Sequence, residues 1–363
     1  MLFLVDHRTD LAKREVTKIW VENGVLVQRL ASHEFGGEFK RTGKFYLAVL
    51  QVVSIWAMIT NSAQIIFRLV GKDKSALWKA IAVRDYKKIS KELMKLWLCT
   101  SWEMGRDPNH ISSTFVDRFS RFNHQAKWGA AGWKSLDVFY NYWENVQPKL
   151  GSDLEGWLTR FWIERMENRQ AVTNRLKIAV NLIADALVKF AKEPEIRLLS
   201  IASGSAQADI RAMQRHPRLN IKAVLIDSDQ TALNEAKKAI QEAGLEERFT
   251  LILGKTDVLE DVCKTFHPHV VEMVGFLDYR PKHKAIELIG RIRNVLPKDG
   301  VFITCNICPN PEKIFLNWVL LWPMIYRTPA QLAGLILGGG FTAESVKLFY
   351  EPFEIHGIAV AVK

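Results

Sequence analysis

Residues 197–206 read RLLSIASGSA, a short apolar run that passes directly into a turn built of small residues. The run Arg197–Ile201 is typical of a buried strand, and helical periodicity follows over Gln207–Arg215. Small residues in such a turn let the backbone approach a ligand, and the next helix presents its free N–H groups there. Tight packing of a strand against a helix also selects Ala and Gly, so the turn alone leaves both explanations open.

The same alternation of apolar strands and amphipathic helices continues to the end of the chain. Further strands are predicted at Ile221–Ile226, Phe249–Leu253, Val270–Val274 and Val301–Cys305. Helices are predicted at Thr231–Ala243, Val258–Phe266 and Lys282–Leu296, with a lead-in helix at Ala171–Phe190. This spacing implies right-handed crossovers and a parallel sheet covered on both faces. Ser345–Tyr350 and Glu354–Ala361 are separated by only a few residues, which predicts an antiparallel terminal hairpin.

Positive charge is concentrated in the first third of the chain. The 363 residues carry 50 Lys and Arg against 39 Asp and Glu, a formal net charge of +11. Between Lys40 and Lys95 there are 12 basic and 3 acidic side chains, which indicates an anionic partner, either nucleic acid or an anionic membrane surface. The hydrophobic content of 48% excludes disordered classes, and 4 cysteines exclude a disulfide scaffold. We expect a reduced, cytoplasmic compartment.

Two domains are predicted, and the first contains a long uncharged segment. Residues 1–120 are expected to form a basic, mainly helical region, and residues 121–363 a helical lead-in (121–195) followed by an α/β core (196–363). Phe45–Phe67 has the length of a bilayer span. Its polar side chains fall on one side of a helix, at Gln51, Ser54, Asn61 and Gln64. An interfacial helix and a buried helix are equally compatible with that stripe, and both are favoured over a span.

Two carboxylates follow the second predicted strand, in the run Ile226-Asp227-Ser228-Asp229. A carboxylate at the carboxyl end of this strand is suited to hold two ribose hydroxyls. A carboxylate two residues later is suited to cap the next helix, because its oxygen accepts a free N–H of the first turn. We therefore assign the ligand role to Asp227 and the capping role to Asp229.

These segments resemble the class I S-adenosylmethionine-dependent methyltransferases over about residues 196–363. The features that match, in order, are LLSIASGSA, VLIDSD, FTLILGKTDVLE, VVEMVGFLDY, NVLPKDGVFIT and the terminal hairpin. The resemblance implies an α/β fold with a Rossmann-like, mostly parallel sheet, and S-adenosyl-L-methionine as cofactor. The cofactor-binding residues implied are Ser200, Ala202, Ser203, Gly204, Asp227, Ser228, Asp257, Glu272 and Gly275.

The chain departs from that family at three positions of the first turn. Ser200 stands where the family has an acid that receives the ammonium of the methionine moiety, and Ala202 and Ala206 stand where it has glycines. Glu272 is a carboxylate in the middle of a covered strand, which is costly unless it is paired. Pairing with a buried Arg or Lys and replacement of the acid missing at Ser200 both remain open.

Two further assignments follow from the resemblance. Gly254 is followed by Lys255 where the family often has an acid, so Asp257 is the candidate for the adenine contact. Asp278 and Tyr279 follow the fourth strand, where they could orient an acceptor or remove its proton. Alternatively, Asp278 merely begins a turn. No metal is expected, because a zinc site needs four ligands and the CxxC motif at residues 305–308 has no second pair to complete it.

The leading functional hypothesis is an enzyme, a methyltransferase for a small or lipid-like, partly apolar acceptor. The aromatic segment Ile314–Tyr326 is suited to cover that acceptor, and a core helix packed on the sheet is the alternative. A nucleic-acid methyltransferase is the enzymatic alternative, although no RNA-binding motif supports it. A non-catalytic cofactor-fold protein that binds a membrane or a partner is the other alternative. Peripheral attachment of a cytoplasmic protein to a membrane is compatible with the basic region, and the oligomeric state cannot be read from the sequence.

Overall fold

A computed structural model describes residues 15–32, 43–71, 75–93, 116–130 and 132–363. The chain divides into two compact units. The sheet unit comprises Met1–Lys40, Gln170–Pro309 and Met324–Lys363, and the helical unit comprises Arg41–Arg169 and Asn310–Pro323. Each unit is built from segments that are distant in sequence.

Nine strands in the described residues form one sheet. They are β1 (Val16–Glu22), β2 (Val25–Leu30), β3 (Ile196–Ile201), β4 (Ile221–Asp227), β5 (Phe249–Leu253), β6 (Val270–Met273), β7 (Val301–Ile307), β8 (Val346–Tyr350) and β9 (His356–Val362). Their order is β1-β2-β8-β9-β7-β6-β3-β4-β5. The pairs from β7 to β5 are parallel, and β9 runs antiparallel to both β7 and β8. The predicted mostly parallel sheet with an antiparallel terminal hairpin is confirmed.

The helices with defined bounds are α1 (Lys44–Gly71), α2 (Ser75–Ala82), α3 (Arg121–Trp128), α4 (Trp133–Tyr140), α5 (Leu154–Thr159), α6 (Glu167–Lys189), α7 (Gln207–Gln214), α8 (Gln230–Glu242), α9 (Leu259–Phe266), α10 (Lys282–Val295), α11 (Lys313–Trp318) and α12 (Pro329–Gly338). Residues 86–93 are helical as well. Every residue of β6 and β7 is buried, as expected for parallel strands covered on both faces. Leu199, Val271 and Phe302 belong to one core cluster with side chains of α10 and α12.

The hairpin of β1 and β2 was not among the elements predicted from the sequence. Its turn is Asn23-Gly24, with φ of 53° and 78°, the left-handed pair that a two-residue hairpin turn requires. Asn-Gly between alternating apolar residues is a strong hairpin signal. The region 1–120, expected to be mainly helical, therefore also supplies two strands. β2 pairs in parallel with β8 and extends the sheet beyond its terminal hairpin.

One face of α1 packs inside the helical unit. Tyr46, Leu50, Ser54 and Ala57 are buried, and the Tyr46 hydroxyl donates to the Trp162 carbonyl at 3.2 Å. Of the predicted polar stripe, Ser54 lies on the buried side of α1 and Gln51 is exposed. The Ser54 hydroxyl is satisfied within the helix by the Leu50 carbonyl. The side chains of Asn61 and Gln64 lie outside the described residues.

A bilayer-spanning helix is not found among the described residues, because none there combines sufficient length with sufficient apolar character.

Buried polar and aromatic contacts fix the rest of the helical unit. Glu312 accepts hydrogen bonds from the N–H groups of Glu167 and Asn168 at 2.9 and 2.8 Å, which satisfies free donors at the start of α6. Phe139 stacks on Trp322 with ring centroids 5.9 Å apart, and both rings are buried. Trp322, expected in a lid over an acceptor, thus lies in the core of this unit.

We predict that Gly24→Ala lowers the free energy of unfolding by about 1–2 kcal/mol, because Gly24 has a left-handed φ that Cβ disfavours. An added Cβ would also lie 3.3 Å from the Cβ of Ala343. Urea unfolding measures the change. Gly290→Ala, in the interior of α10 with its nearest contact at 3.7 Å, is the control and should be neutral or stabilising. Equal effects at the two glycines would contradict the assigned turn.

Candidate functional site

The strand order locates a crevice at the carboxyl ends of β3 and β6. The chain proceeds from β3 outward to β4 and β5, then returns to form β6 on the other side of β3. In open α/β sheets, ligands bind at this point, where the order of strands reverses. The loop 202–206 follows β3 and the loop 274–279 follows β6, so the two loops border the crevice.

The loop after β3 is held in an unusual backbone conformation. Ala202, Gly204 and Ala206 have φ of 54°, 55° and 54°, all in the left-handed region. Only glycine adopts this region without a steric penalty, so the two alanines store strain of about 1–2 kcal/mol each. Ala206 precedes the first turn of α7, and no side chain caps that helix. Apart from the Asp209 N–H, which its own carboxylate accepts, the N–H groups of the first turn are suited to a ligand.

Asp227 ties this loop to the end of β4. One oxygen of its carboxylate accepts the N–H of Gly204 and the other accepts the N–H of Asp229, both at 2.8 Å. Asp229 caps α8 as predicted, since its side chain accepts the N–H of Thr231 at 2.8 Å. Ser228 lies exposed between them. Asp227 thus lies beside the loop, and its ribose role remains a prediction.

Ser200 and Glu272 are register partners on β3 and β6. Both are buried, and the Ser200 hydroxyl donates to the Glu272 carboxylate, whose second oxygen accepts the N–H of Val274 at 2.9 Å. Asp209, in the first turn of α7, is buried and is also hydrogen-bonded to Ser200. We call Ser200, Asp209 and Glu272 the acidic cluster. Asp209 was not among the residues predicted from the sequence.

Burial dominates the electrostatics of the acidic cluster. It raises the pKa of Glu272 to about 7, against the opposing effects of the Ser200 hydroxyl, the Val274 N–H and the Arg175 guanidinium. Burial, and then the Glu272 carboxylate, raise the pKa of Asp209 well above its ordinary value. When two carboxyl groups share one desolvated site, it is unfavourable for both to be ionised at the same time. The cluster therefore retains a proton near neutral pH, which a cation could displace.

The loop after β6 is fixed by hydrogen bonds. Gly275 has φ of 92°, and its N–H donates to the Cys305 thiol at 3.1 Å. The buried Asp278 carboxylate accepts the N–H of Ile307 at 2.8 Å, and burial raises the pKa of that carboxyl. Asp278 thus links the loop to the end of β7. Tyr279, the other predicted catalytic residue, is half-buried at the end of the same short turn.

Arg175 and His356 enter the site without any signal in the sequence. Arg175 lies on α6 and is buried, with its guanidinium close enough that a Cβ on Gly275 would lie 3.7 Å from one of its nitrogens. His356 is buried at the start of β9, in register with Ile307, and its two ring nitrogens have no hydrogen-bond partner among the described residues. Burial, and then the charge of Arg175, hold the pKa of His356 well below its usual value.

Two predicted cofactor residues lie at the edges of this arrangement. The Ser203 hydroxyl is buried in the loop after β3 and has no partner within the described part of the chain. Asp257 is exposed in a short turn after β5.

Burial raises the pKa of Cys305 and Cys308 to about 12, which makes both thiols poor nucleophiles. No cluster of three or more His, Cys, Asp or Glu residues suited to a metal occurs among the described residues.

No family model and no curated protein matches the chain. Among solved structures, a possible exported protein from Bordetella parapertussis is 14% identical, covers 74% of this chain and 94% of its own, and has a TM-score of 0.56. An O-methyltransferase family protein from Burkholderia thailandensis is 13% identical, with coverages of 87% and 98% and a TM-score of 0.44. The S-adenosylmethionine-dependent methyltransferase SibL is 14% identical, covers 77% of each chain and has a TM-score of 0.42. At these identities the likeness concerns the Rossmann-like fold and not the chemistry.

We predict that Ala202→Gly raises the free energy of unfolding by about 0.5–1 kcal/mol. Glycine relieves the left-handed strain, and its larger entropy in the unfolded chain cancels part of that gain. Ala206→Gly should gain less, because the Ala206 methyl packs in a core cluster with Ile210 and Leu225. Urea unfolding with an unchanged m-value measures both. A loss of stability in Ala202→Gly would show that the loop is not strained.

Proposed function

We propose that this chain is an S-adenosylmethionine-dependent methyltransferase for a small or lipid-like, partly apolar acceptor. The observation that carries the proposal is the acidic cluster beneath the strained loop at the reversal of strand order. A buried, partly protonated pair of carboxyls in such a crevice suits a ligand that brings an ammonium group. The terminal hairpin of the sheet also agrees with the resemblance found in the sequence.

The residues present fit this cofactor. The Ser203 hydroxyl and one Asp209 oxygen are buried without partners among the described residues, which is costly unless a ligand or water satisfies them. Gly204 and Gly275 lie half-buried in the two loops at the crevice, both with left-handed φ. Buried polar atoms beside a glycine-lined backbone are the features expected of a site that receives a polar ligand.

Each part of the cofactor has a candidate partner. Asp227 would hold the ribose hydroxyls, Asp257 the adenine amino group, and Glu272 the ammonium in place of the acid missing at Ser200. S-adenosylmethionine bound there would supply an activated methyl group. Alignment of the acceptor provides much of the rate enhancement for such a transfer.

On the acceptor side, the buried groups act mainly by positioning. Asp278 accepts the Ile307 N–H and is buried, so it supports the loop more than it serves as a base. Tyr279 remains the candidate to contact the acceptor. His356 adds a neutral imidazole at the carboxyl end of β7, the strand next to β6, and could accept or donate one hydrogen bond to a polar atom of the acceptor.

We predict that Asp227→Ala weakens S-adenosylmethionine binding by about 1–3 kcal/mol, measured by calorimetry. Asp229→Ala removes only the cap of α8 and is the matched control for folding. Because Asp227 also holds the Gly204 N–H, both variants are compared on a cofactor analogue without ribose hydroxyls. A smaller loss on the analogue assigns Asp227 to the ribose, and an equal loss assigns it to the loop alone. If the wild-type chain does not bind the cofactor, the non-catalytic alternative is favoured.

We predict that cofactor affinity rises with pH up to about 7 and then levels off. An ammonium favours the ionised carboxylate, so a cluster that holds a proton at lower pH must release it on binding. With one proton released, affinity changes by about tenfold per pH unit below the pKa. The number of protons released on binding is measured by calorimetry in buffers that differ in ionisation enthalpy.

Glu272→Gln should weaken binding and alter this pH dependence, which then reflects Asp209 alone. Glu312→Gln, which alters another buried glutamate in the helical unit, should leave both unchanged. A wild-type affinity that does not vary with pH, or a pH profile in Glu272→Gln that matches the wild type, would remove Glu272 from the ammonium site.

A further inference from the structure

α1 presents two apolar faces, of which only one is covered. Tyr46, Leu50, Ser54 and Ala57 are buried, and at about 100° per residue they lie on one side of the helix. On the opposite side, Phe45, Val52, Ile55 and Ile59 are exposed by 75%, 68%, 48% and 59%. Their spacings of seven, three and four residues form one continuous stripe. We call these four residues the α1 stripe.

A second exposed surface follows in the same unit. Over residues 79–93, which we call the basic segment, Val83 and Tyr86 are exposed by 74% and 76%. The basic side chains of this segment are Lys79, Arg84, Lys87, Lys88 and Lys91, and all are exposed. Its acidic side chains are Asp85 and Glu92. The segment thus combines a net positive charge with apolar side chains that project into solvent.

We propose that the α1 stripe and the basic segment dock on an anionic lipid bilayer surface. Exposed aliphatic side chains partition into the boundary between headgroups and acyl chains, and neighbouring Lys and Arg are attracted to anionic headgroups. Lys44, exposed at the start of α1, adds a further charge beside the stripe.

Charge and composition favour a bilayer over the other occupants. A second copy of this chain would bring the same positive basic segment, and like charges at an interface oppose association. Single-stranded nucleic acid binds grooves that combine basic residues with stacked aromatic rings. Rings are exposed at Phe45, Trp56 and Tyr86, but three of the four side chains of the α1 stripe are aliphatic and gain nothing from stacking with a base.

The test is co-sedimentation of the full chain with lipid vesicles, in the absence of any methyl donor. One set contains phosphatidylcholine with about a third phosphatidylserine, and the other contains phosphatidylcholine alone. Salt is varied from about 0.1 M to about 1 M, over which the Debye length falls from about 10 Å to about 3 Å. We expect binding to the anionic set at low salt, and little binding at high salt or to the neutral set.

Charge variants test the basic segment. Lys87→Glu/Lys88→Glu/Lys91→Glu should lower the partition coefficient by about 100-fold or more, because each lost lysine contributes about fivefold. Lys192→Glu/Lys237→Glu/Lys298→Glu makes the same change in net charge at exposed positions of the sheet unit, and should retain most of the binding. Equal losses in the two triple variants would overturn the proposal.

Apolar variants test the α1 stripe. Ile55→Ser/Ile59→Ser should weaken binding about tenfold or more, whereas Ile19→Ser/Val21→Ser, at equally exposed positions of β1, should not. Circular dichroism confirms that each variant is folded. No binding to anionic vesicles, equal binding to neutral ones, or a dimer that the Ile55/Ile59 variant dissociates would each overturn the proposal. Displacement of the protein from vesicles by single-stranded RNA at equal charge concentration would also overturn it.

Discussion

The contact between Ser200 and Glu272 joins the neighbouring strands β3 and β6 at the point where strand order reverses. A carboxylate in the middle of a covered strand is tolerated only with partners, and here a hydroxyl from the neighbouring strand and a backbone N–H supply them. Asp209 approaches the same hydroxyl from the first turn of α7. The acidic cluster therefore connects β3, β6 and α7, the three elements that border the crevice.

The loop after β3 shows how the chain compensates for residues that do not suit their backbone. Alanines occupy two left-handed positions, which is an unfavourable backbone conformation for them. Contacts with the surrounding structure stabilise that conformation. The Asp227 carboxylate fixes Gly204 between them, and the Ala206 methyl packs beneath α8. A loop with glycines at these positions would be easier to form and less rigid. Rigidity of this kind favours binding, because less conformational entropy is lost when a ligand arrives.

Much of the fold could be predicted from the sequence because the determining signals were local. Apolar runs gave β3 to β7, and the cap at Asp229 followed from its position after a strand. The signal of the Asn23-Gly24 turn is equally local, but it lies in a region where charge is the dominant feature of the sequence. The site was less predictable. Arg175 and His356 meet Gly275 and Ile307 only through the tertiary fold, and no local pattern distinguishes them.

The division of the chain into units has a consequence for biosynthesis. The helical unit needs Asn310–Pro323, where Glu312 completes the start of α6, and the sheet unit needs β8 to receive the N-terminal hairpin through β2. A ribosome releases these segments well after the first segments of the same unit. Neither unit can bury its apolar surface until its last segment has emerged. Chaperone engagement during translation is therefore expected to be prolonged, and folding of each unit should follow the emergence of its last segment.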